Sequence, residues 1–90
     1  KLAVHVVSHK VNDFEVWKSV FDSNIAITEK FGITDRFVLQ AVDDPNNVTV
    51  VGEGELGKIQ GFLSSEDLKS ALRNAGISGP VTIFVGENKL

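Results

Sequence analysis

Between Phe14 and Phe31 the apolar residues recur at helical spacing, and on both sides of that stretch the spacing drops to two. Phe14, Trp17, Val20, Phe21, Ile25, Thr28 and Phe31 fall within one broad stripe when turned by about 100° per residue. Glu15, Lys18, Asp22, Glu29 and Lys30 take the opposite side. Such a helix needs an apolar surface to lie on, and the alternating segments around it supply a sheet. Asp13 or Asn12 can cap its first amides. Gly32 suits a left-handed stop, with Ile33 folding back onto the last turn.

The segment Lys1 to Val11 is rich in β-branched residues and reads as a central strand. Alternation puts Leu2, Val4 and Val6 on one face, and Ala3, His5, Val7 and His9 on the other. Thr34 to Val42 alternates too, with Phe37, Leu39 and Ala41 opposing Arg36, Val38, Gln40 and Val42. Asp43-Asp44-Pro45-Asn46-Asn47 reads as a turn, and Val48 to Glu55 as the returning arm of a hairpin. A four-residue loop pairs Val42 with Asn47, Gln40 with Thr49, Val38 with Val51 and Arg36 with Glu53. It sets an arginine beside a carboxylate, a favourable cross-strand pair. Helical spacing resumes at Leu56 and continues through Leu68, Ala71, Leu72 and Ala75 to a stop at Gly76. Ser64, three residues before Asp67, reads as a fresh N-cap that breaks this helix in two. After Gly79-Pro80 the last strand is expected over Val81 to Glu87.

The order is strand, helix, strand, strand, helix, strand. Crossovers of this kind are right-handed, so both helices fall on one face of a four-stranded antiparallel sheet. The expected class is α+β, a ferredoxin-like β-α-β-β-α-β domain over residues 1–90. The uncovered face is expected to carry His5, Val7, His9, Val38 and Val51 beside Arg36, Gln40, Thr49 and Glu53. That mixture is too apolar for a wetted surface, so a homodimer through the sheet faces is expected, with a lumen between the copies.

Composition narrows the function classes. With no cysteine, disulfides, thiolate zinc sites and cysteine nucleophiles are excluded. A net charge of −3 disfavours nucleic acid, which demands concentrated Lys and Arg. No apolar run approaches the ~20 residues that span a bilayer. No charged-then-apolar leader opens the chain, which starts at Lys1 without a methionine, and a cytoplasmic location is expected. No phosphate-binding loop or metal-loop motif is present, and Gly52-Glu53-Gly54-Glu55-Leu56-Gly57 carries acids that repel phosphate. No cofactor and no metal are expected.

One stretch carries a resemblance. His9-Lys10-Val11-Asn12-Asp13-Phe14-Glu15-Val16-Trp17-Lys18-Ser19-Val20-Phe21-Asp22 resembles the pattern H-x-V-x-D-F/Y-x-x-W-x-x-x-F/Y-D of the small dimeric α/β-barrel proteins. Asp43 to Val48 is similar to their hairpin turn, and Phe62, Ser65, Leu68 and Gly76 to Pro80 to their second helical segment and its exit. The resemblance implies a ferredoxin-like fold and a sheet-to-sheet dimer. The wider group it resembles includes cofactor-independent monooxygenases of antibiotic biosynthesis, cyclases, lyases and haem-degrading enzymes. The Asn, Trp and His set of the haem-degrading members does not map here, since Trp17 reads as core.

Histidine works as acid, base or hydrogen-bond donor near neutral pH, which makes His5 and His9 candidates for catalysis. Arg36 could orient a developing oxyanion, with Glu53 tuning a histidine. Val7, Val38, Gln40, Thr49 and Val51 would line the ligand. The plainer alternatives are a packed His5, a solvated His9 and a simple Arg36–Glu53 salt bridge. Asn24, inside the helical stripe, is expected to be a structural tie. Two readings stand at this point: a dimeric barrel binding a small apolar or aromatic ligand, with acid-base, cyclase or monooxygenase-type chemistry, and a non-catalytic sensing or docking module.

Overall fold

The computed structural model describes residues 1–90. Its elements are β1 (Leu2–Val11), α1 (Phe14–Ser23), α2 (Ile25–Lys30), β2 (Thr34–Ala41), β3 (Asp44–Glu55), α3 (Leu56–Leu63), α4 (Glu66–Asn74) and β4 (Ile77–Gly86). The strands form one antiparallel sheet in the order β2-β3-β1-β4, with the helices on one face, a ferredoxin-like α+β fold. No helix is long and apolar enough to cross a membrane.

Local chemistry sets the helix ends. The Asp13 carboxylate accepts from the Val16 amide at 3.2 Å and starts α1. The stripe expected to run unbroken to Phe31 is split at Asn24, whose Nδ2 donates to the Val20 carbonyl at 2.9 Å. A side-chain amide that bonds the preceding turn in this way competes with the helix's own ladder. At the end of α2, Gly32 takes φ 68°. The Gly32 amide bonds Glu29 and the Ile33 amide bonds Thr28, each at 2.9 Å, which folds buried Ile33 back as expected. The second helical segment also breaks, one residue later than the capping pattern suggests. Ser65, not Ser64, caps α4: its Oγ accepts from the Leu68 amide at 3.1 Å, while Ser64 Oγ donates back to Gln60.

The hairpin departs from expectation in register. The connection is only Val42-Asp43, and β3 already begins at Asp44. Val38 faces Val50, Leu39 faces Thr49 and Gln40 faces Val48, rather than Val51 for Val38 and Thr49 for Gln40. Arg36 is an extra residue between the pairs Asp35–Gly52 and Phe37–Val51, a β-bulge. The bulge turns Arg36 onto the face of Glu53, so the expected ion pair forms although the register behind it does not. Arg36 Nη2 and Nε both donate to one Glu53 oxygen, at 2.8 and 3.1 Å. β4 begins earlier than expected, at Ile77, and bulges between Ser8–Thr82 and Lys10–Ser78. Gly79, at φ 86°, and Pro80 interrupt the ladder there, as suits an edge strand.

The largest correction concerns the faces. Alternation separates β1 into the right two sets, but Ala3, His5, Val7, His9 and Val11 are the buried set beneath the helices. His5 and His9 therefore do not face a lumen. β3 supplies Val48 and Val50 to the same side and leaves room for the His5 ring at Gly52 and for Ile33 at Gly54. Val38 also packs on this helix side. The open side carries Val6, Thr49, Val51 and Glu53 with exposed Phe37, Leu39 and Phe84. Beneath the helices the core is in two parts. One holds Val11, Trp17, Val48, Val50 and Ala75, the other Ala3, Ile33, Ile59 and Phe62.

Candidate functional site

A cavity of about 90 Å³ lies between the sheet and the helices, lined by residues of both core clusters. β1 contributes His5, Val7 and His9 to its floor, and β2 and β3 add Asp35 and Val50. Trp17, Phe21, Ile27, Leu68 and Leu72 are among the apolar residues of its walls and roof, and Asn24 and Thr28 are polar points at the helix break. No lysine or arginine lines it.

Its polar groups are unusual in lacking partners. His5 and His9 are 2% and 5% exposed, and all four of their ring nitrogens are buried without a hydrogen bond. Asp35 Oδ1 is buried and unpaired as well. Buried polar atoms are nearly always satisfied, so five unpaired ones around one cavity set this place apart from the rest of the core. The rings are held by packing: His5 lies 5.9 Å from Phe62 and His9 5.6 Å from Trp17, centroid to centroid. Trp17 in turn stacks on Phe21 at 5.2 Å.

Burial sets the protonation states. It lowers both imidazoles below their ordinary value, because charging them here costs solvation. Near neutral pH each ring is neutral, with one N–H donor and one acceptor nitrogen. Burial pushes the Asp35 carboxyl up, and the nearby Thr28 hydroxyl works in the opposite direction. The site thus holds a carboxylate that takes up a proton more readily than usual, beside two histidines that resist one.

The residues singled out from sequence divide between two faces. His5, Val7 and His9 line the cavity, and Val38 packs behind it. Arg36, Glu53, Thr49 and Val51 lie on the open face, where Thr49 Oγ1 and Ser8 Oγ are 2.8 Å apart. Gln40 sits near the hairpin end and donates to the Pro45 carbonyl at 3.0 Å. Arg36 and Glu53 therefore cannot act on a group held by the histidines, because the sheet is between them. No three His, Asp or Glu side chains cluster closely enough to hold a metal. Asp35 escaped the sequence reading, since simple alternation aligns it with Phe37 and gives no sign of the bulge that separates their faces.

The fold is shared with solved structures of low sequence identity. SnoaB, a cofactor-independent oxygenase from Streptomyces nogalater solved in a point-mutant form, matches with TM-score 0.80 at 12% identity, over 99% of this chain and 94% of that one. A proposed antibiotic biosynthesis monooxygenase from Nitrosomonas europaea matches with TM-score 0.79 at 14% identity, over 98% and 90%. A conserved protein from Methanosarcina mazei Go1 matches with TM-score 0.76 at 22% identity, over 98% and 94%. These likenesses establish the ferredoxin-like fold. No curated protein matches the sequence. A family profile described as a domain of unknown function, DUF3764, matches residues 2–83, and the chain belongs to that family.

Proposed function

We propose that this protein binds a small, mostly apolar ligand in the cavity between helices and sheet, and carries out cofactor-independent acid-base chemistry of the cyclase or monooxygenase type there. The observation that carries this reading is the set of buried, unpartnered nitrogens of His5 and His9 in an apolar enclosure. Pockets that bind small molecules are of this kind, apolar with a few convergent polar groups. Neutral histidines can pass a proton to and from a bound group. The oxygenase described for SnoaB, on the same fold, supports the chemical class. The test is a ligand screen read by thermal shift and by fluorescence of Trp17, the sole tryptophan. Wild type should bind apolar aromatic probes, and His5→Ala or His9→Ala should abolish turnover of any substrate found. Turnover unchanged in both variants would remove the histidines from the chemistry.

We also propose a homodimer through the open sheet face. Phe84, Val6, Val51 and Phe37 form a cross-strand row over all four strands there, and Phe37 and Phe84 are 60% and 65% exposed. An apolar row of this extent on a sheet face favours burial against a like surface. Light scattering should give twice the chain mass, and Phe37→Lys should halve it. The same row favours a second reading, a sensing or docking module without catalysis. That reading requires ligand binding or partner capture with no turnover.

A further inference from the structure

We infer that Asp35 and His5, both in the cavity lining, form a two-point seat for one hydroxyl group on an uncharged ligand, with the His5 ring laid over Gly52. This deepens the proposal above and rests on the cavity being a ligand site.

The two residues belong to one cross-strand row on the helix side. Asp35 of β2 pairs with Gly52 of β3, and Gly52 pairs with His5 of β1. Two strand spacings separate the outer residues, roughly 9.5 Å between Cα atoms. The middle residue has no side chain, and the His5 ring occupies the space above it. A Cβ on Gly52 would lie 3.0 Å from His5 Cε1 and 3.1 Å from Cδ2, and nearer still to Nε2. The imidazole thus leans along the row toward Asp35. Its nitrogens and Asp35 Oδ1 make no hydrogen bond in the protein.

The chemistry of the two ends selects the guest. A carboxylate only accepts, and a neutral imidazole can donate. A hydroxyl group donates to Asp35 and accepts from His5 at once. A carbonyl could serve His5 alone. A ligand carboxylate or phosphate would meet Asp35 with no lysine or arginine in the lining to offset it. An ammonium would bring a charge into surroundings made of Trp17, Phe21, Val50, Phe62 and Leu72. The apolar body of the ligand lies against those residues.

Three probes of nearly equal shape test the seat: ethylbenzene, benzyl alcohol and benzylamine, titrated into the full chain by calorimetry at neutral pH. Benzyl alcohol should bind at least about tenfold more tightly than ethylbenzene, and benzylamine no more tightly than the alcohol. In Asp35→Val the preference for the alcohol should fall below about twofold while ethylbenzene still binds. His5→Phe, which keeps a ring over Gly52, should do the same and serves if the first variant fails to fold. Equal binding of ethylbenzene and the alcohol overturns the hydroxyl seat but leaves the cavity standing. Benzylamine binding most tightly overturns it in favour of a cation site. Preference for the alcohol surviving in both variants assigns the hydroxyl elsewhere. Binding of none of the three overturns the seat and the ligand cavity together.

Discussion

Gly52→Ala is the sharpest probe of how His5 is held. The backbone at Gly52 does not have positive φ, so alanine can adopt it, and by itself the change would stabilise by about 0.4–1 kcal/mol through the unfolded chain. Against this stands the His5 ring, with two carbons at 3.0 and 3.1 Å from the new methyl and Nε2 closer. The ring is hemmed by Phe62 and 2% exposed, so it cannot simply swing into solvent. Overpacking of this kind costs about 1–3 kcal/mol, which leaves a net destabilisation of roughly 1–2 kcal/mol. The decisive measurement is a double-mutant cycle with His5→Ala. That variant leaves a hole but also removes two desolvated nitrogens, so alone it should lie within about 1 kcal/mol of wild type. In its background Gly52→Ala should become neutral or stabilising, a coupling of about 2 kcal/mol. Urea titration followed by Trp17 fluorescence would show the single variant's midpoint lowered by about 1 M or more, given slopes near 1 kcal/mol/M for small proteins. If Gly52→Ala costs the same in both backgrounds to within about 0.5 kcal/mol, the ring is not what the glycine accommodates, and His5 does not lean toward Asp35 over it.

Lowering the pH should weaken the fold before ordinary acid denaturation begins. The folded-state values of His5 and His9 are depressed, so below about 6.5 the unfolded chain takes up protons that the folded chain refuses. Stability present above that pH is lost as the pH falls toward the folded values. Melting temperatures of His5→Gln/His9→Gln should show a flatter decline between pH 7 and 5 than wild type. Asp35 acts with the opposite sign: its raised value means stability is greatest with the carboxyl protonated and is lost as pH rises through the folded value. Asp35→Asn should therefore raise the melting temperature at pH 8 relative to wild type and lose that advantage near pH 4. An advantage independent of pH would contradict burial as the cause. Ser65→Ala should cost about 1 kcal/mol in chemical denaturation, and Ser64→Ala only a few tenths, because only Ser65 caps α4. Arg36→Ala should cost no more than about 1 kcal/mol as measured on the monomer, since the Arg36 side chain is 55% exposed and solvent screens the pair.

Much of the architecture was legible because period, caps and glycines are local signals. Asp13, Gly32, the break near Ser64 and Gly76 each announce an end through chemistry acting over a few residues. The helix break at Asn24 was harder, since its amide lies in an otherwise apolar stripe and competes for one carbonyl. What sequence could not settle was which face of β1 lies inside. Leu2, Val4 and Val6 are as apolar as Ala3, Val7 and Val11, and the deciding factor sits on another strand. Gly52 makes space on one side for the His5 ring, and Gly54 makes space there for Ile33. The expected site consequently mixed residues of both faces, joining cavity histidines to an ion pair across the sheet.

The bulge at Arg36 gives β2 two addresses. Asp35 and Phe37 are two apart, yet one turns inward and the other outward, because the extra residue shifts the phase of the strand between them. The segment before the bulge can change with the demands of the enclosed side, and the segment after it with those of the outer side. Taking Arg36 into the ladder as an ordinary strand residue would restore simple alternation and force a choice between an aromatic ring in the cavity and a carboxylate outside it. A substitution at the same position leaves both in place. Deleting Arg36 outright would keep both faces as they are, because neighbouring strand residues already point to opposite sides.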